Sequence, residues 1–147
     1  MQYNESEFLI ETVIPQDELI ISRTDLNGFI TYANETFCEI SGYSQEELIG
    51  KAHNILRHPD MPSSVYADLW QSIKNKKQWS GVVKNLRKDK GHYWIKAMIS
   101  GVYKNGELVE YKSLRTPISF DEKLVHQKLY DKMRQENGEK QRKITYK

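Results

Sequence analysis

Across residues 79–118 the hydrophobic pattern repeats every second residue and breaks only twice, at Lys88-Asp89-Lys90-Gly91 and at Lys104-Asn105-Gly106. A period of two marks strands with one face toward a core. Both breaks carry turn chemistry, and the second contains an Asn-Gly pair suited to a tight hairpin. The stretch therefore predicts a three-stranded antiparallel meander. In its first strand Trp79, Gly81, Val83 and Asn85 share one face, and Ser80, Val82, Lys84 and Leu86 the other. In the second, Tyr93, Ile95, Ala97 and Ile99 oppose His92, Trp94, Lys96, Met98 and Ser100. The third strand, within 108–118, has two competing phases. Leu108 and Leu114 argue for one inward face, Val109 and Tyr111 for the other, and the first choice would turn Lys112 inward.

Three strands need cover, and the preceding residues supply it. Residues 19–24 and 29–32 read as a hairpin around Asp25-Leu26-Asn27-Gly28, where Asn-Gly supplies the positive φ of a tight turn. Asn34 has the type of a helix cap, with Phe37 and Ile40 on one face and Gly42 at the end. Ser44 and Glu47 form a capping box for a second short helix that Gly50 stops. Pro59 ends any helical turn within 52–61, and Ser63 or Ser64 caps a longer helix carrying Val65, Leu69 and Ile73. The expected class is α+β: a five-stranded antiparallel sheet with short helices covering one face, because those helices are too short to bury their own apolar stripes.

Composition narrows the function. The chain has 147 residues, with Lys+Arg 22 against Asp+Glu 20. That balance argues against a duplex-binding module, so no nucleic-acid partner is expected. Cys38 is the single cysteine, which excludes an internal disulfide or a multi-thiolate metal site and suits a cytoplasmic protein. No apolar run approaches the roughly 20 residues of a membrane span. Charge is uneven: residues 1–27 hold six acids and one base, whereas 121–147 hold eight bases and five acids. The organisation expected is an N-terminal arm or cap at 1–16, a sensor unit at 17–120, and a helical then basic tail at 121–147.

The run Asp25-Leu26-Asn27-Gly28, Tyr32-Ala33-Asn34, Phe37, Ser41-Gly42-Tyr43-Ser44 and Glu47-Leu48-Ile49-Gly50 resembles a PAS domain, over about residues 17–120. Two further segments are more specific: His53-Asn54-Ile55-Leu56-Arg57-His58-Pro59-Asp60-Met61-Pro62, and Trp79-Ser80-Gly81-Val82-Val83-Lys84-Asn85 with His92-Tyr93-Trp94. These are similar to the PAS domains of the aerotaxis-receptor type and of their separate-chain energy-taxis relatives. The resemblance implies a PAS fold, a non-covalently held FAD, and a redox or energy signal passed in trans to a membrane-bound chemotaxis signalling protein. It also implies recruitment to the inner membrane face by that partner.

Carried over by position, the resemblance makes Arg57, His58 and Asp60 cofactor-binding residues. An arginine meets a pyrophosphate with paired donors, and a histidine and a carboxylate suit ribose and adenine edges. The alternative is a local Arg57–Asp60 ion pair across Pro59. Asn85 lies in phase with Trp79 and Val83, where its carboxamide would match a flavin's pyrimidine edge or else reach a helix-loop backbone group. Trp79 and Trp70 would flank a ring system or simply fill the core. Asn34 is a helix cap first and a cofactor contact second.

A blue-light flavin–thiol adduct is not expected, because the segment 52–60 holds no cysteine and Cys38 belongs to an earlier helix. Two other readings stay open: a haem-binding PAS oxygen sensor using His53 or His58, and a ligand-free PAS dimerisation module. An enzyme is not expected, since there is no Gly-rich dinucleotide loop and no nucleophile–base constellation. On the outer sheet face Val82, Leu86, Trp94 and Met98 predict an uncovered apolar patch and hence an interface. The alternative cover is the N-terminal arm with Phe8, Leu9, Ile10 and Val13, and a homodimer through either surface is open.

Overall fold

The computed structural model describes residues 10–139. Strand β1 (Ile20–Thr24) pairs with β2 (Ile30–Ala33). Two short helices follow, α1 (Glu35–Ser41) and α2 (Gln45–Leu48), then a 3-10 turn (His53–Leu56) and helix α3 (Ser63–Lys74). The meander is β3 (Trp79–Leu86), β4 (His92–Lys104) and β5 (Glu107–Thr116), and helix α4 (Phe120–Glu136) closes the described chain. All pairings are antiparallel and the order is β2-β1-β5-β4-β3. The expected α+β architecture, a five-stranded antiparallel sheet with short helices on one face, is the one observed.

Local chemistry accounts for most boundaries. The Asn34 side chain accepts from the Phe37 N–H at 3.0 Å, and Gly42 ends α1 in the left-handed region. Ser44 and Glu47 complete the capping box of α2. Helix α3 departs from expectation: Pro62 stands at its cap position, and Ser63, its first residue, donates its N–H and hydroxyl to the Glu139 carboxylate. The two hairpins also differ. Asn105 and Gly106 both adopt positive φ as a tight turn needs, whereas in the first hairpin only Gly28 does. There Asp25 Oδ1 accepts from the N–H groups of Asn27 and Phe29, making a longer turn.

Register settles the phase of β5. Arg115 lies opposite Ala97, Ser113 opposite both Ile99 and Ser22, and Tyr111 opposite Gly101. Residues directly opposite share a face, so Tyr111, Ser113 and Arg115 face the helices. Lys112, opposite Ser100 and Arg23, faces outward, and Leu114 goes with it. A bulge between Val102 and Tyr103 resets the alternation toward Leu108, which is why Leu108 and Leu114 suggested the wrong face.

The outer face is the larger correction. Val82 and Trp94 are buried there, because α4 packs across β3 and β4. The Tyr130 ring stacks on Trp94 at 6.4 Å and 18°, and its hydroxyl donates to the Val82 carbonyl. Beside this contact Lys84 Nζ donates to Asp60 Oδ2 at 2.9 Å and to Gln127 Oε1 at 3.0 Å. Arg134 Nη1 lies 3.7 Å from Asp60 Oδ1, and Arg134 also bonds Asp131. The buried stripe of α4 is thus largely polar, so no apolar period announced it. The expected cover by the N-terminal arm is not seen among the described residues. Instead His92 exchanges backbone bonds with Ile10 and Thr12 beyond the end of β5, while Ile10 and Val13 stay exposed. Phe8 and Leu9 lie outside the described residues.

Among the described residues Asp60 is the carboxylate that joins Lys84 to Arg134. Removing one member of a buried charge group weakens the compensation of the others. Asp60→Ala is expected to lower the unfolding free energy by about 3 kcal/mol, read by urea denaturation followed by circular dichroism. A loss within error of zero would remove this cluster from the interactions that dock α4.

Candidate functional site

Between the helices and the concave sheet face lies a cavity of about 350 Å³. Its wall draws on β1, the 3-10 turn, α3 and the inward positions of β3, β4 and β5. That volume falls in the range of small-molecule sites. Two glycines shape it. A Cβ on Gly81 would fall 2.6 Å from the Trp79 ring, so glycine is what lets the indole lie along the strand. Gly28, at φ 87°, closes the first hairpin beneath the Trp70 ring.

Aromatic groups line the α3 side. Trp79 Nε1 donates to Asp68 Oδ2 at 3.0 Å, which fixes the indole between β3 and α3. Trp70 meets Tyr111 edge-on at 6.4 Å. Arg57 is exposed and lays its guanidinium over the Tyr66 ring, 3.9 Å from the centroid; burial pushes the Tyr66 phenol up. The backbone of Arg57 bridges to that of Asn85, tying the 3-10 turn to β3. Asn85 itself is buried in the wall, opposite Tyr93. Burial also raises the Tyr93 phenol, with the charge of Arg115 and the neighbouring Asn85 amide acting the other way.

Arg115 is the wall residue that the uncertain phase of β5 concealed. It is 2% exposed, and its Nη2 donates to Ser22 Oγ at 2.7 Å and to His53 Nε2. Its guanidinium also lies over the Phe37 ring at 4.8 Å. Nη1 is buried without a hydrogen-bond partner among the described residues. Burial lowers the Arg115 pKa to about 10, with the Tyr93 phenol acting the other way. A guanidinium can only donate, so His53 Nε2 must be unprotonated. Burial first, then Arg115, push the His53 pKa down to about 3. The cavity therefore contains a fixed positive charge beside a neutral imidazole.

Of the residues singled out from sequence, Arg57, Trp70, Trp79 and Asn85 come together in this wall. Asn34, His58 and Asp60 do not line it. The Asn34 carboxamide is consumed by backbone groups, accepting from Ile21 and Phe37 and donating to Leu19. His58 is buried edge-on to His92, and its Nδ1 accepts from the Asp60 N–H. Asp60 turns to Lys84 and Arg134 rather than to Arg57, so the local ion pair across Pro59 does not form. Cys38 packs against the core from α1, outside the cavity wall. Ser22, His53, Tyr66, Tyr111 and Arg115 also belong to the wall. Among the described residues no three His, Cys, Asp or Glu side chains are grouped to hold a metal, and no helix is long and apolar enough to cross a membrane.

Comparison with known proteins agrees with this geometry. A family model described as the PAS fold matches residues 30–115. The aerotaxis receptor of Escherichia coli is 42% identical over 119 residues, 81% of this chain and 24% of that protein. The nitrogen fixation regulatory protein of Klebsiella pneumoniae is 33% identical over 112 residues, 76% of this chain and 23% of that one. The chain thus spans about a quarter of the length of these relatives. Among solved structures, a PAS domain from Colwellia psychrerythraea matches with TM-score 0.62 and 30% identity, over 68% of this chain and 86% of that one. A light-oxygen-voltage domain studied with a flavin analogue matches with TM-score 0.66 and 22% identity, over 82% and 87%, a likeness of fold alone. With its strand order, its helix-covered sheet face and these matches, the chain belongs to the PAS family, in the branch that includes the PAS region of the aerotaxis receptor.

Proposed function

We propose that the chain is a redox or energy sensor that binds FAD non-covalently in this cavity and signals to a membrane-bound chemotaxis-type transducer in trans. The observation that carries the reading is the pairing of an aromatic-walled slot with two polar groups, the Asn85 carboxamide and the Arg115 guanidinium. A buried guanidinium whose Nη1 has no hydrogen-bond partner among the described residues favours an occupant rich in acceptor atoms. A flavin ring offers such atoms on a flat apolar body, and the residues present fit it. Arg57, exposed beside Tyr66, suits the phosphate chain of such a cofactor. The relationship to the aerotaxis receptor supports a sensory role; the transducer, a cytoplasmic site of action and recruitment to the inner membrane face extend this reading from it. Residues 17–120 form the sensor unit in this reading. The haem alternative is weaker because His53 Nε2 is already engaged by Arg115 and Ser22.

When bound, a flavin supplies reversible electron uptake. The chain's own part is electrostatic and mechanical. Arg115, being buried, stabilises added negative charge where charge interactions are strong. Asn85 faces the cavity while Lys84, the next residue on β3, faces the α4 side and bonds Gln127. A change in the hydrogen bonding of Asn85 therefore reaches the α4 contact within one residue of the same strand. A tenfold shift between two arrangements needs only about 1.4 kcal/mol of differential interaction.

Two outcomes test the reading. Titration of cofactor-stripped protein with FAD is expected to quench flavin fluorescence to saturation at one per chain. Arg57→Ala should weaken FAD roughly tenfold; an unchanged affinity would take Arg57 off the phosphate chain. In reductive titrations Arg115→Met should move the flavin midpoint to a more negative value by on the order of 60 mV, the equivalent of a tenfold factor for one electron. An unchanged midpoint would contradict the charge assigned to Arg115.

A further inference from the structure

Helix α3 supplies Tyr66, Leu69, Trp70 and Ile73 to the cavity wall, yet it is lightly seated. Of its residues Ile73 is the buried one, and the bond from Trp79 to Asp68 ties its middle to β3. Its N-terminus has no local side-chain cap, since Pro62 stands at the cap position. The cap comes instead from 76 residues downstream. The Ser63 N–H donates to Glu139 Oε1 at 3.2 Å, and Ser63 Oγ donates to the same oxygen at 2.7 Å. A carboxylate in this place meets both a first-turn donor and the positive end of the helix dipole.

Glu139 is itself held in position. Gly138, at φ 69°, turns the chain back at the end of α4, and the Glu139 N–H donates to the Arg134 carbonyl at 2.9 Å. The Arg134 side chain, 5% exposed, lies 3.7 Å from Asp60. The end of α4 therefore grips the chain on both sides of Pro62, at Asp60 and at Ser63. The turn that Glu139 caps also carries Tyr66, the ring beneath the Arg57 guanidinium. Losing the cap loosens that part of the wall first.

We propose that Glu139 is a positioning residue for the cavity: bonded to Ser63 it holds α3 in place as a wall, and released it lets the first turn of α3 open and exchange the occupant. The inference rests on the flavin reading above and adds a regulation of that site. Coupling between two such events is reciprocal. A partner that draws away the chain beyond α4 loosens the wall, and an occupant that contacts α3 strengthens the latch.

Two measurements on the full chain test this. In cofactor-free protein, Glu139→Ala should speed amide hydrogen exchange at residues 65–70 about fivefold and leave the paired amides of β4 and β5 unchanged. In FAD-loaded protein, the same change should speed flavin release after dilution about fivefold, followed by fluorescence. Glu139→Gln keeps an acceptor oxygen and should bring both rates back toward the original. Unchanged exchange in α3, a rise shared equally by β4 and β5, or a loosened α3 with unchanged flavin release would each overturn the latch. A chain that takes up no FAD would contradict the flavin reading instead, and the exchange rates of the cofactor-free chain would still decide whether Glu139 holds α3.

Discussion

The bond between Arg115 and Ser22 crosses from β5 to β1 at the middle of the sheet, and the character of the cavity depends on it. It holds a guanidinium, 2% exposed, against a cavity wall that has no Asp or Glu among the described residues. The desolvation shows in the lowered pKa of Arg115 and in the neutrality it imposes on His53. A site that keeps such a group trades stability for function: a well-packed apolar residue would be easier to bury. A bound molecule with acceptor atoms at Nη1 would offset that cost, which links cofactor retention to the stability of the fold.

Strand β3 connects this charge to the rest of the molecule. Its inward residues, Trp79, Val83 and Asn85, are cavity wall, and its backbone meets Arg57 of the 3-10 turn. Its outward residues, Val82 and Lys84, hold α4 through Tyr130 and Gln127. Alternation along a strand is what places wall and docking surface one residue apart. Asp60 belongs to the same arrangement: it closes the 3-10 segment onto Lys84 and Arg134 and so couples the helical cover to α4. A cavity-side change in β3 can thereby reach a surface helix without any large movement.

Most of the fold was legible because local chemistry and hydrophobic period agreed. Asn34, the Ser44–Glu47 box and the Asn105-Gly106 turn each perform the job their types imply. The alternation of β3 and β4 placed Trp79 and Asn85 correctly on the cavity side. Illegibility began where side-chain type and position diverged. On β5 the inward set is Tyr111, Ser113 and Arg115, polar enough to pass for a solvent face, while Leu114 points outward. On α4 the buried set includes Tyr130 and Arg134, and apolar Leu124 and Leu129 are exposed, the reverse of an ordinary amphipathic helix. The resemblance groups His58 and Asp60 with Arg57, yet Pro59 and the following turn send them away from the cavity wall.

The most direct test of the account is the absorption spectrum of the protein as purified, followed by release and chromatography of its chromophore. The two bands of an oxidised flavin, with FAD as the released species and about one per chain, are the result predicted. A Soret band, or a folded protein that carries no chromophore and takes up no FAD, would contradict it.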